Sequence, residues 1–246
     1  MTAIFETGHA KNVANFQDLI SFCQGYDKAY NPTKENLKIP NLQLLYQEAK
    51  NNLDNFKTQK TALDNATNAR RIAFADFKIL STRIINALAV SGADDLAVED
   101  AKAINYKIQG TSSKKSESIE TPQPEGGGNS ISTSQQSYDR LIDHFTSLIE
   151  LLNQNTFYAP NEDDLKITAL QTRLTEMETT NTTLINAFTA NSNAMISRNE
   201  ILYNQETGLV QISREVKLYV KSVFGAGSPQ YNQVTSLEFK VRKNKS

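Results

Sequence analysis

The sequence predicts an all-α fold: an elongated antiparallel helical bundle built from two tandem repeats, each a short helix followed by a long coiled-coil-like helix. Helix breakers are scarce, with 10 glycines and 6 prolines in 246 residues. Apolar residues recur at spacings of three and four over long segments, which is the pattern of an amphipathic helix. A segment near the start of the chain also occurs again in the second half, and a duplicated unit is expected to fold twice.

The repeat is clearest between residues 32–43 and 160–171, which share six of twelve positions at a constant offset of 128. The identical pairs are Pro32/Pro160, Leu37/Leu165, Lys38/Lys166, Ile39/Ile167, Leu42/Leu170 and Gln43/Gln171. Upstream, Phe16 aligns with Tyr138 at an offset of 122, and further downstream the offset grows to 133. The changes of offset indicate insertions, which are expected in loops.

These matches divide the chain into a flexible N-terminus at 1–11, helical repeat 1 at 12–109, helical repeat 2 at 134–242 and a basic tail at 243–246. Residues 110–135, between the repeats, are rich in Ser, Gly, Pro and Gln and contain no aromatic residue. Such a segment buries too little apolar surface to offset the entropy of ordering it. We therefore expect a disordered linker there.

Each repeat is expected to begin with a short amphipathic helix, at residues 13–30 and 136–153. Its apolar residues form one stripe, which another element must cover. They are Val13, Phe16, Leu19, Ile20 and Cys23 in repeat 1, and Tyr138, Leu141, Ile142, Phe145, Leu148, Ile149 and Leu152 in repeat 2. Cys23 is the only cysteine, so it cannot form an intrachain disulfide, and we expect a small buried residue.

The long helix of repeat 1 is expected at residues 41–91, which contain no proline or glycine. Its apolar residues recur with a mean step of 3.5, the seam of a supercoiled helix, and repeat 2 shows the same seam. Because the seam keeps its phase, we predict one continuous helix per repeat, ending at Gly92 and Gly225. The alternative is a hairpin broken near Asn65 and Asn193, where cap-forming residues cluster.

Arg70 and Arg198 occupy the same position of the repeat, near the middle of the predicted long helices. A buried guanidinium needs a partner, because an unpaired charge in an apolar core is costly. Asp64, Asp76 and Glu200 are nearby candidates. Two interpretations follow for the arginines: a polar core layer that sets the helix register, or an interior site for an anionic ligand. We favour the polar layer and therefore expect no small-molecule ligand.

The sequence offers little chemistry for an enzyme. It has two histidines, His9 in the N-terminus and His144 in the second short helix, and it lacks the spacings of zinc and di-iron ligands. We therefore predict no enzymatic activity, no cofactor and no metal. The net charge of −1 favours no nucleic-acid partner, and no run of 18 apolar residues could span a membrane. No signal sequence is visible, so a cytoplasmic location is expected.

Two short patterns remain. Residues 223–231, Val-Phe-Gly-Ala-Gly-Ser-Pro-Gln-Tyr, contain glycines like a phosphate loop, but they follow a helix rather than a strand, so a helix end is expected. Apolar and polar residues alternate in 104–108 and in 237–241. These segments could pair as a small ribbon or lie along the bundle as extended tails.

The Pro-x-x-x-x-Leu-Lys-Ile-x-x-Leu-Gln segments that start at Pro32 and Pro160, together with the turn at 223–231, resemble uncharacterised helical-bundle proteins of the Bacteroidota. The resemblance covers both repeats and implies a helical bundle, and it implies no activity. Our first functional hypothesis is a non-enzymatic structural or interaction protein that associates with itself or with a protein partner. The alternatives are a ligand-binding or sensory bundle that uses Arg70 and Arg198, and a helical membrane-acting toxin component.

Overall fold

The computed structural model describes residues 6–110 and 136–241, and the regular structure in these ranges is helical. The all-α class predicted from the sequence is therefore confirmed for the described residues. The α-helices are, in chain order, α1 Glu6–Gly25, α2 Ile39–Ala73, α3 Phe77–Ala89, α4 Asp95–Gln109, α5 Tyr138–Gln154, α6 Ile167–Tyr203, α7 Leu209–Phe224 and α8 Pro229–Thr235. The predicted linker beyond Gly110 and the predicted basic tail lie outside the described residues.

The chain forms two compact units whose boundaries differ from those of the predicted repeats. Unit 1 combines Met1–Leu63 with Ala187–Ser246, and unit 2 is Asp64–Asn186. The first part of α2 belongs to unit 1 and its last part to unit 2. The first part of α6 belongs to unit 2 and its last part to unit 1. Each unit therefore takes its first helices from the first half of the chain and its last helices from the second half.

The core of unit 1 is formed by α1, the connection to α2, the first part of α2, the end of α6, α7 and α8. Its buried apolar residues are Val13, Phe16, Leu19, Ile20, Cys23, Tyr30, Leu37, Leu42, Ala49, Leu53, Leu202, Leu209, Val210, Ile212, Val216, Val220 and Val234. Cys23 is buried in this core, as the sequence predicted.

The core of unit 2 is formed by α3, α4, α5, the connection to α6 and the first part of α6. Its buried apolar residues are Phe77, Ile84, Ile85, Leu88, Val98, Ala101, Ile108, Phe145, Leu148, Ile149, Leu152, Tyr158, Leu165, Leu170 and Met177. Phe77 and Phe145 are both fully buried in it, and their ring centroids are 4.8 Å apart, within the range of favourable aromatic pairs.

The same connection leads into α2 and α6. A short 3₁₀ turn, Glu35–Leu37 or Asp163–Leu165, comes directly before the long helix. A buried tyrosine stabilises each turn. Tyr30 donates its hydroxyl proton to the carbonyl oxygen of Leu37 at 2.7 Å, and Tyr158 donates to that of Leu165 at 2.9 Å.

The long helices are interrupted, so the prediction of one continuous helix per repeat is wrong. In repeat 1, α2 ends at Ala73 and α3 starts at Phe77. In repeat 2, α6 ends at Tyr203 and α7 starts at Leu209. Residues 65 and 193, where the alternative placed the breaks, lie inside α2 and α6, so that position is wrong as well.

The break after α6 has a local cause. The Oδ1 of Asn204 accepts hydrogen bonds from the backbone N–H groups two and three residues later, at 2.8 and 3.0 Å, which competes with helical bonding. A Cβ on Gly208 would lie 2.5 Å from the backbone N and O of Asn204, so only glycine fits there. Leu202 and Leu209 lie seven residues apart on either side of this turn, so the heptad spacing of apolar residues continues across it. Periodicity alone therefore does not reveal the break.

Burial in the two short helices coincides at an offset of 129, whereas the sequence alignment placed Phe16 against Tyr138 at 122. The pairs with matching burial are Phe16/Phe145, Leu19/Leu148, Ile20/Ile149 and Cys23/Leu152. The two alignments differ by seven residues, which is about two helical turns. The apolar stripe looks the same after such a shift, and this is why the sequence pattern did not separate them.

Several residues outside the long helices also differ from expectation. Residues 6–11, in the segment predicted to be flexible, belong to α1, and His9 is buried. Residues 104–108 lie in α4, so the strand-like interpretation is wrong for them. The side chain of Asp94 starts α4 by accepting a hydrogen bond from the Ala97 N–H at 2.9 Å. Residues 237–241 follow α8 without helix or strand, as one of the two alternatives proposed.

Candidate functional site

Arg70, in the last turn of α2, lies between an aromatic ring and an amide within unit 2. Its guanidinium carbon is 3.9 Å from the centre of the Tyr138 ring, and its Nη1 donates to the Oδ1 of Asn181 at 3.0 Å. Asn181 in turn donates from Nδ2 to the Oδ1 of Asp139 at 2.6 Å. The Nε of Arg70 is buried without a hydrogen-bond partner among the described residues. One amide thus connects the positive charge to a carboxylate.

Arg198, near the end of α6, is only 5% exposed and belongs to unit 1. Its guanidinium carbon lies 4.1 Å from the centre of the Phe56 ring. Its Nε and Nη2 donate to the Oδ1 of the adjacent Asn199 at 3.2 and 2.9 Å. As with Arg70, one face of the guanidinium is covered by a ring and part of its edge by an amide oxygen, an arrangement suited to the flat, delocalised cation.

The two arginines belong to different compact units, and each has its own ring and amide. Two of the carboxylates proposed as partners have other neighbours. Asp76 forms an ion pair with Arg173, and Glu200 accepts a hydrogen bond from the Nδ2 of Asn204 at 2.5 Å.

An exposed apolar face lies on the last part of α6 in unit 1, and we call it the α6 face. Its exposed apolar members are Phe188, Met195 and Ile196, and the half-buried Asn199 and Tyr203 continue the face towards the end of the helix. At 100° per residue these positions fall on one side of the helix. Phe188 and Ile196 are 63% and 62% exposed. The C-terminal end of the face opens into a groove of about 560 Å³, which is lined by Ile196, Asn199, Glu200, Tyr203, Asn204, Gln205 and Glu206.

A polar cluster joins α1 to the end of α6. The Nδ1 of His9 lies 2.6 Å from the hydroxyl oxygen of Tyr203, and Asn12 donates to the same oxygen at 3.4 Å. His9 and Asn12 are both buried. No sequence pattern connects His9 with Tyr203, because the two residues are 194 positions apart.

The segment after α8, residues 237–241, lies along α1, and we call it the tail. Asn12 makes two hydrogen bonds to the main chain of Lys240: its Nδ2 donates to the carbonyl oxygen at 2.9 Å and its Oδ1 accepts from the N–H at 3.0 Å. Asn15 donates to the carbonyl oxygen of Glu238 at 2.7 Å. Lys217, on α7, donates to the carbonyl oxygen of Leu237.

Side chains of the tail alternate between the core and the solvent. Leu237 and Phe239 pack against the core of unit 1, whereas Glu238 and Lys240 are exposed. The ammonium of Lys217 lies 5.1 Å from the centre of the Phe239 ring, and burial lowers its pKa. The sequence predicted the alternation, but it did not predict the side chains of α1 and α7 that hold the tail.

Burial also shifts the pKa values of Cys23, Tyr158 and the half-buried His144. Burial raises the pKa of the Cys23 thiol to about 12, and the same cause raises the pKa of Tyr158 to about 12. Burial also lowers the pKa of His144, with the positive charge of Lys107 acting in the same direction. A thiol with a raised pKa is a poor nucleophile at neutral pH.

Among residues 6–110 and 136–241, no cluster of three or more His, Cys, Asp or Glu side chains could hold a metal ion. In the same ranges, no helix is long and apolar enough to cross a membrane. Comparison of the chain with protein-family models, with curated proteins and with solved structures gives no match. The resemblance to helical proteins of the Bacteroidota therefore stays a prediction.

Proposed function

We propose that this chain is a non-enzymatic interaction protein whose α6 face binds an amphipathic helix of a protein partner, with basic residues on that helix. The observation that carries the proposal is the exposure of Phe188, Met195 and Ile196 on one side of a single helix. Large apolar side chains grouped on an exposed face favour a partner that covers them.

The spacing of the face fits a helix. Phe188 and Met195 are seven residues apart, and Ile196 is the next residue, so the exposed apolar groups recur after about two turns. A partner helix that carries apolar residues at heptad spacing can follow such a stripe. We therefore propose that α6 pairs with the partner helix as in a coiled coil.

The charge of the groove specifies the partner further. Glu200 and Glu206 are both exposed and line the groove, and no Lys or Arg side chain lines it. Lysine or arginine residues that flank the apolar stripe of a partner would approach these carboxylates. Such rim charges mainly set the association rate and the choice of partner.

The test uses a synthetic probe, a fluorescently labelled peptide of about three heptads with leucine at a and d and lysine at the flanking positions. We expect saturable binding to the full chain by fluorescence anisotropy. Phe188→Glu should weaken binding because it places a carboxylate in the apolar stripe. Leu218→Glu is the matched control, since Leu218 is 64% exposed on α7 of the same unit and the charge change is the same.

Equal weakening by Phe188→Glu and Leu218→Glu would contradict the proposal, as would the absence of saturable binding. Replacing both Glu200 and Glu206 by Gln should slow association and flatten its dependence on salt. The α6 face could instead bind a second copy of the chain. A molar mass that rises with concentration, and that Phe188→Glu returns to the monomer value, would show this and overturn the basic-helix assignment.

We also propose that the chain arose by duplication of a helical unit. The matching turns before α2 and α6, with Tyr30 and Tyr158 hydrogen-bonded in the same way, support this. So do the serines Ser81 and Ser213, which are buried at matching positions of α3 and α7. Each of these serines donates to a backbone carbonyl oxygen on its own helix, at 2.9 and 2.6 Å.

Arg70 and Arg198 are proposed to act as polar layers of the two units rather than as anion sites. In each case an aromatic ring covers one face of the guanidinium and an amide oxygen accepts from its edge. An anionic ligand would have to displace these neighbours. A thermal-shift titration with inorganic phosphate should therefore leave the melting temperature unchanged, and a saturable increase that Arg198→Leu removes would contradict this assignment.

A further inference from the structure

We propose that the surface of unit 1 that holds the tail is a binding groove for an extended peptide of a protein partner, and that residues 237–241 occupy this groove in cis. The groove is formed by Asn12 and Asn15 on α1 and by Lys217 on α7. Asn12 also contacts Tyr203, at the C-terminal end of the α6 face, but the groove rests on different observations.

The polar side chains of the groove recognise main chain. Asn12, which is 2% exposed, contacts both the N–H and the carbonyl oxygen of Lys240. Asn15 contacts the carbonyl oxygen of Glu238, two residues earlier. Since these contacts use backbone atoms, any extended segment can make them. The tail runs antiparallel to α1, because its later residue meets the earlier asparagine.

The apolar contacts supply the sequence preference. Leu237 and Phe239 point to the core of unit 1, two residues apart, while the residues between and after them are exposed. The ammonium of Lys217 lies near the Phe239 ring, where a cation favours an aromatic residue. The groove therefore fits a segment with an aliphatic residue, any residue and then an aromatic residue, in an extended conformation.

Comparison of the two units shows that this groove is a feature of unit 1 alone. At the offset of 129 that aligns the short helices, Leu141 and His144 of α5 stand where α1 has Asn12 and Asn15. At the offset that aligns Ser81 with Ser213, Ile85 stands where α7 has Lys217. The segment of unit 2 that matches the tail is part of α4. The asparagines are thus not required by the shared fold.

Occupation in cis gives the groove a built-in competitor. A tail on the same chain has a high effective concentration, so a partner peptide must displace it. A partner segment with stronger apolar contacts would do so, and weakening the tail would open the groove.

The test uses the full chain with Leu237 and Phe239 both replaced by Ser, and a labelled synthetic peptide with the sequence of residues 236–241. We expect this variant to bind the peptide at least about tenfold more tightly than the wild-type chain, since the competing apolar contacts are lost. Adding Asn15→Ala should reverse most of the gain. Adding Asp18→Ala, an exposed position on the same helix, should not.

Circular dichroism establishes that each variant keeps the helical content of the wild-type chain. If the double variant loses it, the single variant Phe239→Ala replaces it in the same comparison. The proposal is overturned if a folded variant with a weakened tail binds the peptide no better than the wild-type chain. It is equally overturned if Asn15→Ala and Asp18→Ala have the same effect, because the tail would then be a structural clasp only.

Discussion

Tyr30 donates its hydroxyl proton to the carbonyl oxygen of Leu37 over 2.7 Å inside the core of unit 1. Tyr158 and Leu165 form the same bond in unit 2, at 2.9 Å. Each bond closes the connection that precedes a long helix and satisfies a carbonyl at the turn where the helix begins. The structural equivalence of these positions has direct consequences for stability.

Replacing Tyr30 or Tyr158 by Phe should lower the free energy of unfolding by about 1 kcal/mol in each case, because each change leaves a buried carbonyl without its donor. The two effects should add in the double variant, since the residues share no partner. Urea denaturation followed by circular dichroism measures this. Tyr106→Phe, at an exposed position of α4, is the control. Loss of stability at only one of the two tyrosines would show that the two connections are not equivalent.

The buried thiol of Cys23 should make unit 1 sensitive to alkaline pH. Burial raises its pKa from 9.0 to about 12, so between these values the unfolded chain has lost a proton that the folded chain retains. Stability is therefore present in full below about pH 9 and falls as the pH rises towards 12. The urea midpoint should fall more steeply between pH 8 and pH 10 for the wild-type chain than for Cys23→Ala.

A thiol reagent provides an independent check on Cys23. At pH 8 and without denaturant, the reaction with Ellman's reagent should be slow, because the thiol is protonated and buried. The rate should rise with urea in step with the unfolding of unit 1. Immediate stoichiometric labelling of the folded chain would contradict the burial of this residue.

Arg198 should tolerate leucine better than lysine. Lysine keeps the buried charge but loses the flat guanidinium that stacks on Phe56 and bonds to Asn199, which should cost about 1 kcal/mol or more. Leucine removes the charge and its desolvation penalty while it fills part of the same space. Thermal denaturation of the two variants compares them, with the exposed Arg71→Lys as control. A leucine variant clearly less stable than the lysine variant would contradict a purely structural layer.

The sequence predicted the helical class because periodicity and scarce breakers act locally along the chain. It also predicted the burial of Cys23, and for residues 237–241 it left a ribbon and an extended tail as alternatives. The helix break at Ala73 escaped prediction, since residues 74–76 contain neither glycine nor proline. The break at Asn204 depends on a side chain that bonds its own backbone and on a close approach at Gly208, while the apolar spacing continues through it.

The sequence pattern also did not predict which helices pack against each other in each unit. An apolar stripe shows that a helix is covered and does not identify the covering element, so the pattern did not show which helices of the two halves form each core. The contacts of Asn12 and Asn15 with residues 237–241 could not be predicted, because asparagine on a helix is usually exposed to solvent. For Arg70 and Arg198 the sequence suggested nearby carboxylates as partners. The aromatic rings that cover their guanidinium groups, those of Tyr138 and Phe56, lie on other helices.

Each compact unit takes helices from both halves of the chain. The most direct measurement is to express residues 1–110 and 136–246 separately and to follow them by sedimentation and circular dichroism, alone and mixed in equal amounts. Each half alone holds only part of each core, so we expect poorly cooperative unfolding or self-association, and a 1:1 complex with cooperative unfolding after mixing. Two monomeric halves that each unfold cooperatively and do not associate on mixing would contradict the claim.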